Sequence, residues 1–295
     1  MKLGITVVYI VSSDNSALLD LHLAQIKKHT STPYTIYAGV NRLLPQFRKR
    51  LENHPHVKIC PCPETQLRSV DEHAFYLEHL TKYAIEDGAT YIATLHLDSF
   101  PVRPGWDKEL AVKLTGSHSF ITLEGINTAC LFFHRDFYLK YKPSFLIPDD
   151  KRSGKEYWQF QKIYDVNPHS GVGFAFSAYL NGLTWYCLKE SVKDKEKAKT
   201  YDAMIFHLEG VVHLEDVNIK SKNTTKSGLF FKKLVDFLKL FVPRKTREYL
   251  RKINFLSINN YIDEPRITLE KAMLQKRKHK LLADPELYLN NLKKN

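Results

Sequence analysis

What most limits the fold of this chain is the order of its apolar runs. Over roughly the first hundred residues, short β-branched stretches alternate with amphipathic helical ones. Ile5–Ser12 reads as a strand, and Ala17–Lys28 as a helix with Leu18, Leu21, Leu23 and Ile26 on its apolar side. Tyr34–Val40 reads as a second strand, Leu44–Glu52 as a short helix and Val57–Cys60 as a third strand. Ser69–Asp87 then has helical spacing at Ala74, Leu77, Leu80, Ala84 and Ile85, with Ser69 to cap it and Gly88 to stop it. Such alternation predicts an α/β fold with a mostly parallel central sheet and helices on both faces. The first strand-to-helix turn, residues 11–16, contains no glycine, which argues against a Gly-rich dinucleotide-binding loop.

A second apolar run, Tyr91–Leu97, breaks into His96, Asp98 and Ser99, and Pro101, Pro104 and Gly105 are expected to stop the strand there. Alternate strand residues share a face, so His96 and Asp98 project together at the carboxyl end, where ligands bind in open α/β sheets. An imidazole beside a carboxylate can hold a divalent cation, and a cation there can hold a diphosphate.

Charge divides the chain. Of 44 Lys/Arg and 32 Asp/Glu, residues 219–295 hold 19 and 7, which leaves residues 1–218 neutral with 25 of each. Two regions with different physical tasks are expected: a catalytic domain over 1–218 and a basic, mostly helical extension over 219–295. No run approaches the ~20 apolar residues that span a bilayer. The opening segment, with one lysine and no small-residue cleavage site, reads as a first buried strand rather than a leader. Cys60, Cys62, Cys130 and Cys187 lack zinc-site spacing and read as reduced thiols of a cytoplasmic chain.

The stretch from Thr90 to Trp106 resembles the aspartate-x-aspartate segment of GT-A-fold nucleotide-sugar glycosyltransferases, broadly of the family 2 type. Asp98, Pro101 and the Gly105-Trp106 pair match. Either His96 stands in for the first carboxylate, or Asp98 is itself the first and Ser99-Phe100 departs from the rest. The resemblance covers roughly residues 1–215 and implies a sugar transfer from a nucleoside-diphosphate donor, assisted by Mn2+ or Mg2+. It implies metal ligation by Asp98, by His207, into which the stretch Tyr201–Gly210 runs an apolar strand (with His213 as the substitute), and by His96. It sets Ser12, Asn41, Ser69 and His73 on the donor, with Asp98. The segment Asp165–Gly173 is similar to the part of such enzymes that supplies a general base beside the acceptor, here Asp165 or His169. Residues 140–157 are expected to form a loop over the site, with Tyr157-Trp158 able to stack on a sugar.

The basic extension contains Leu229–Val242, a 14-residue run with Lys232, Lys233, Asp236 and Lys239 on one helical face and phenylalanines and leucines on the other. It is too short to cross a membrane but suited to an anionic bilayer surface, which would make the acceptor a membrane-borne glycan or lipid-linked sugar. No nucleic-acid recognition module accompanies the basic charge. Two rival readings remain, a nucleotidyltransferase and an inactive, basic peripheral protein built on the same fold.

Overall fold

The computed structural model describes residues 1–10, 16–41, 43–67, 69–116, 118–166, 169–193, 198–208 and 272–294. The chain forms two compact units, one of residues 1–209 with 280–295 and one of residues 210–279. In the second unit the described residues, 272–279, are helical. The run Leu229–Val242 lies outside the described residues. The end of the basic extension, including a closing helix, belongs to the first unit. No described helix is long and apolar enough to cross a membrane.

The first unit is built on a seven-stranded sheet in the order β3-β2-β1-β4-β7-β6-β8. Its strands are β1 (Leu3–Val8), β2 (Tyr34–Gly39), β3 (Val57–Ile59), β4 (Tyr91–Leu95), β6 (His118–Leu123), β7 (Asn127–His134) and β8 (Thr184–Leu188). The pairs β2/β3, β1/β2, β1/β4 and β6/β8 are parallel, and β7 alone runs against its neighbours β4 and β6. This is the mostly parallel α/β sheet expected from the alternating pattern.

Both faces are covered, and the side chains of β7 show how. Phe133 packs against Phe174 of α8 (Val172–Leu180) and Tyr138 of α5 (Arg135–Tyr141). Its neighbour Phe132 points the other way, to Trp106 at the start of α4 (Trp106–Gly116). Alternation along a strand makes this two-sided burial possible. On β1, Leu3, Ile5 and Val7 are fully buried. Gly4 lies so close to α3 (Ser69–Glu86) that a Cβ there would sit 2.9 Å from that of Ala84. The Gly105-Trp106 pair clamps α4 to the end of α1 (Ser16–His29): Gly105 N–H donates to His29 O, and Trp106 Nε1 to Thr30 Oγ1. Asp107 next to them is buried and accepts from the backbone N–H groups of Ser31 and Thr32.

Several expectations need correction. The strand expected over 91–97 ends at Leu95, because Ser99 folds back: its N–H donates to His96 O and its Oγ accepts from His96 N–H. Pro101 does not end strand structure. It closes β5 (Ser99–Pro101), the first strand of a second sheet ordered β5-β11-β10-β9. β5 is an edge strand there, so a missing N–H is tolerated. The single strand expected from Tyr201 onward is a hairpin, β10 (Lys199–Tyr201) and β11 (Ile205–His207), turned by Asp202 and Ala203 with φ of 46° and 49°. β9 (Glu190–Lys193) completes this sheet.

Residues 140–157 are not one loop either. α6 (Asp149–Arg152) and the start of α7 (Lys155–Tyr164) lie within them, because Tyr157 and Phe160 share a face that packs on Phe176 of α8. Of the aromatic pair expected to stack on a sugar, Tyr157 is therefore core, while Trp158 is 64% exposed. α2 (Pro45–Glu52) follows β2 as expected. The closing helix α9 (Pro285–Lys294) sets Tyr288 edge-on to Phe206 and Glu286 against Lys28. The four cysteines are free thiols, and burial pushes Cys60 up to about 12 and Cys62 to about 11, which keeps them protonated.

Candidate metal centre

Three of the residues singled out in the sequence converge. His96 follows the last residue of β4, Asp98 sits in the turn to β5, and His207 ends β11. Antiparallel pairing of β5 with β11 places His207 opposite Ser99, and Leu208 N–H donates to Asp98 O at 3.0 Å. The second sheet thus carries a histidine from late in the chain to the carboxyl end of the central strand. One ligand atom from each residue lies within 4.8 Å of the other two. His207 Nε2 stands 3.8 Å from Asp98 Oδ1, and both side chains are almost wholly buried. Two donors on one ion, each ~2.1 Å from it, lie at most ~4.2 Å apart, so this pair fits a shared cation. Nδ1 of His207 is buried with no hydrogen-bond partner among the described residues. Two imidazoles and a carboxylate are a recognised donor set for a divalent metal with open positions.

A hydroxyl chain supports the cluster from behind. His96 Nε2 lies 3.1 Å from Thr128 Oγ1 of β7, which lies 2.9 Å from Ser170 Oγ. Ser170 in turn faces His73 Nδ1 of α3 at 3.4 Å, and the rings of His73 and His96 meet edge-on at 4.9 Å. Thr128 is held in place by its own carbonyl, which accepts from Thr94 Oγ1 of β4. A hydrogen bond to the far nitrogen of an imidazole fixes how its ring is turned.

Beneath the turn, on α1, lies His22, fully buried and edge-on to Tyr9 at 5.7 Å. Neither ring nitrogen has a hydrogen-bond partner of good geometry among the described residues. Burial pushes its pKa down to about 3, although the nearby main chain of Ser99 and Leu97 favours the charged form. A neutral ring therefore packs under the residues that flank Asp98.

The remaining candidates are spread more widely. His73 joins the cluster as described. Asn41 follows the carboxyl end of β2, exposed, and its Nδ2 donates to Cys62 O. Ser69 is the first residue of α3, and Ser12 lies outside the described residues. Asp165 ends α7 in the left-handed region with its side chain exposed. His169 turns both ring nitrogens toward carbonyl oxygens, Nδ1 to Ser170 O at 3.0 Å and Nε2 to Gly125 O at 2.9 Å. It pins the turn between β6 and β7 to the start of α8. Sequence reasoning overlooked Thr128 and His22. A threonine inside an apolar strand and a histidine inside an apolar helix carry no local signal of a role.

No family model and no curated protein matches this chain. Its path is similar to parts of two solved structures. One is the mannosyltransferase PcManGT from Pyrobaculum calidifontis in complex with GDP-Man and Mn2+, at 12% identity and a TM-score of 0.44, over 65% of this chain and 57% of that one. The chain thus spans little more than half the length of that protein. The other is a putative nucleotide-diphospho-sugar transferase from Desulfovibrio desulfuricans G20, at 12% identity and a TM-score of 0.40, over 63% and 79%.

Proposed function

We propose that this chain is a metal-assisted glycosyltransferase that moves a sugar from a nucleoside-diphosphate donor to a glycan or lipid-linked acceptor. The observation that carries the reading is the cluster of His96, Asp98 and His207 at the carboxyl end of the central parallel strand. In open α/β sheets that edge is the ligand-binding edge. Asp98 would be the anionic ligand, with His207 and His96 completing the set. A divalent cation held there supplies Lewis-acid stabilisation of the charge that develops on a leaving diphosphate.

The chain's own residues would do the rest. Thr128 would hold the His96 ring toward the cluster. Ser12, Asn41, Ser69 and His73 would line the donor side. The acceptor's proton would go to Asp165 or His169. Of the two, Asp165 has the carboxylate open to solvent, whereas His169 has both nitrogens against carbonyls. Direct displacement at the anomeric carbon would give inversion. The basic extension would bring the enzyme to an anionic membrane surface on the cytoplasmic side, where a lipid-linked acceptor resides.

The test is release of nucleoside diphosphate from a panel of nucleotide sugars in the presence of Mn2+, comparing the natural chain with Asp98→Ala. The natural chain should turn over at least one donor. Asp98→Ala should lose that activity while its circular dichroism is unchanged. Full activity in Asp98→Ala, or in the natural chain with a chelator, would refute the metal assignment. Failure of every donor would favour the non-catalytic reading.

A further inference from the structure

The donor set carries information about which cation it takes. The group contains a single carboxylate, Asp98, and two imidazoles, His96 and His207. A third imidazole, His73, stands edge-on behind His96. The hydroxyl 3.1 Å from His96 Nε2, Thr128 Oγ1, is neutral. Mg2+ is a hard ion that sheds water reluctantly and is held by carboxylate and phosphate oxygens. It gains little from exchanging water for imidazole nitrogen, and among the described residues the group offers it one carboxylate, Asp98. Fe2+, Co2+, Ni2+ and Zn2+ bind imidazole well, and affinity at such a site rises from Mn2+ to the later metals.

We infer that the site discriminates against Mg2+ and Ca2+ and takes a transition-metal dication, and that His96 is the residue that sets this preference. The inference rests on the proposed function only for what the bound metal would face. Its core is the chemistry of three side chains. Replacing His96 by a carboxylate would add a negative charge and remove a nitrogen, and both changes move the site toward hard ions.

The experiment is metal binding to the full chain, with Co2+ as the probe, read by its visible d–d absorption and by calorimetry. Mg2+, Ca2+, Mn2+ and Zn2+ are then added as competitors. In the natural chain Zn2+ should displace Co2+, whereas Mg2+ and Ca2+ in about hundredfold excess should not. In His96→Asp the ratio of Co2+ to Mg2+ affinity should fall on the order of tenfold or more. Displacement of Co2+ by equimolar Mg2+ from the natural chain overturns the inference, as does an unchanged ratio in His96→Asp. Should that variant fail to fold, the competition series on the natural chain decides alone. The two readings fail separately. Metal binding without discrimination overturns this inference and leaves the proposed function standing, whereas no metal binding by any ion overturns both.

Discussion

His22 makes acid stability a direct readout of how the turn that carries Asp98 is supported. An unfolded chain holds this histidine at an ordinary pKa of 6.5, and burial in the fold lowers it to about 3. Between those values the unfolded state carries a proton that the folded state refuses, so stability falls as pH falls. Above 6.5 neither state is protonated and no loss occurs. Each pH unit below 6.5 costs about 1.36 kcal/mol, so His22 alone should remove about 2 kcal/mol at pH 5. Urea unfolding followed by circular dichroism at pH 7 and pH 5 gives the total loss, to which other groups contribute. Glu78, pushed up by burial, takes its proton more readily in the fold and so offsets part of that loss, whereas Asp87, held low by Lys58, acts only at more acid pH. The contribution of His22 is isolated by the same pair of measurements on His22→Leu, whose pH 7-to-5 loss should be smaller by about 2 kcal/mol. Equal losses in the two proteins would refute the claim that a neutral histidine is trapped beneath Asp98.

Three further outcomes are expected. Thr128→Val keeps the shape of the strand but removes the hydroxyl beside His96 Nε2, and should weaken Co2+ binding by about 10–100-fold with little change in melting temperature. Gly173→Ala would bring a Cβ to 2.0 Å from the backbone oxygen of Ser144, which cannot move aside as a side chain can. It should destabilise the first unit by ~3 kcal/mol or more in chemical denaturation. Reversing charge at Arg244, Lys245 and Arg247 in the full chain should lower cosedimentation with anionic vesicles at low salt, at ~1 kcal/mol per residue, and high salt should have the same effect on the natural chain. If the natural chain ignores such vesicles, the run Leu229–Val242 buries its phenylalanines in protein.

The parts of the fold visible in the sequence are those written in local periodicity. β1, α1, β2, α2, β3, α3 and β4 each carry their own pattern, and each forms within a few residues of its expected limits. β5 and β9 leave no signal in the sequence, and β10 and β11 merge there into one expected strand, because none exceeds four residues, too short for alternation to register. α7 was hidden because its buried face rests on only Tyr157 and Phe160, while Trp158, Ile163 and Tyr164 point outward and blur the stripe. Pro101 misled for a physical reason. A proline excludes a central strand but not the edge of a second sheet, and only tertiary pairing decides which is present.

The same distinction explains the candidate metal centre. His96 and Asp98 are neighbours in sequence, so their meeting at a strand end follows from local geometry. His207 does not follow from anything local. Its position depends on the register that sets Ser99 opposite His207, Phe100 opposite Phe206 and Pro101 opposite Ile205. That register is held by stacked rings, Phe100 on Phe206 with centroids 5.0 Å apart, and by the Leu208 N–H that donates to Asp98 O. A slip of one residue would turn His207 to the opposite face and put Phe206 toward Asp98. The two phenylalanines, which have no chemistry of their own, therefore determine whether His207 meets Asp98. Truncating either one would loosen the register and should take metal affinity with it.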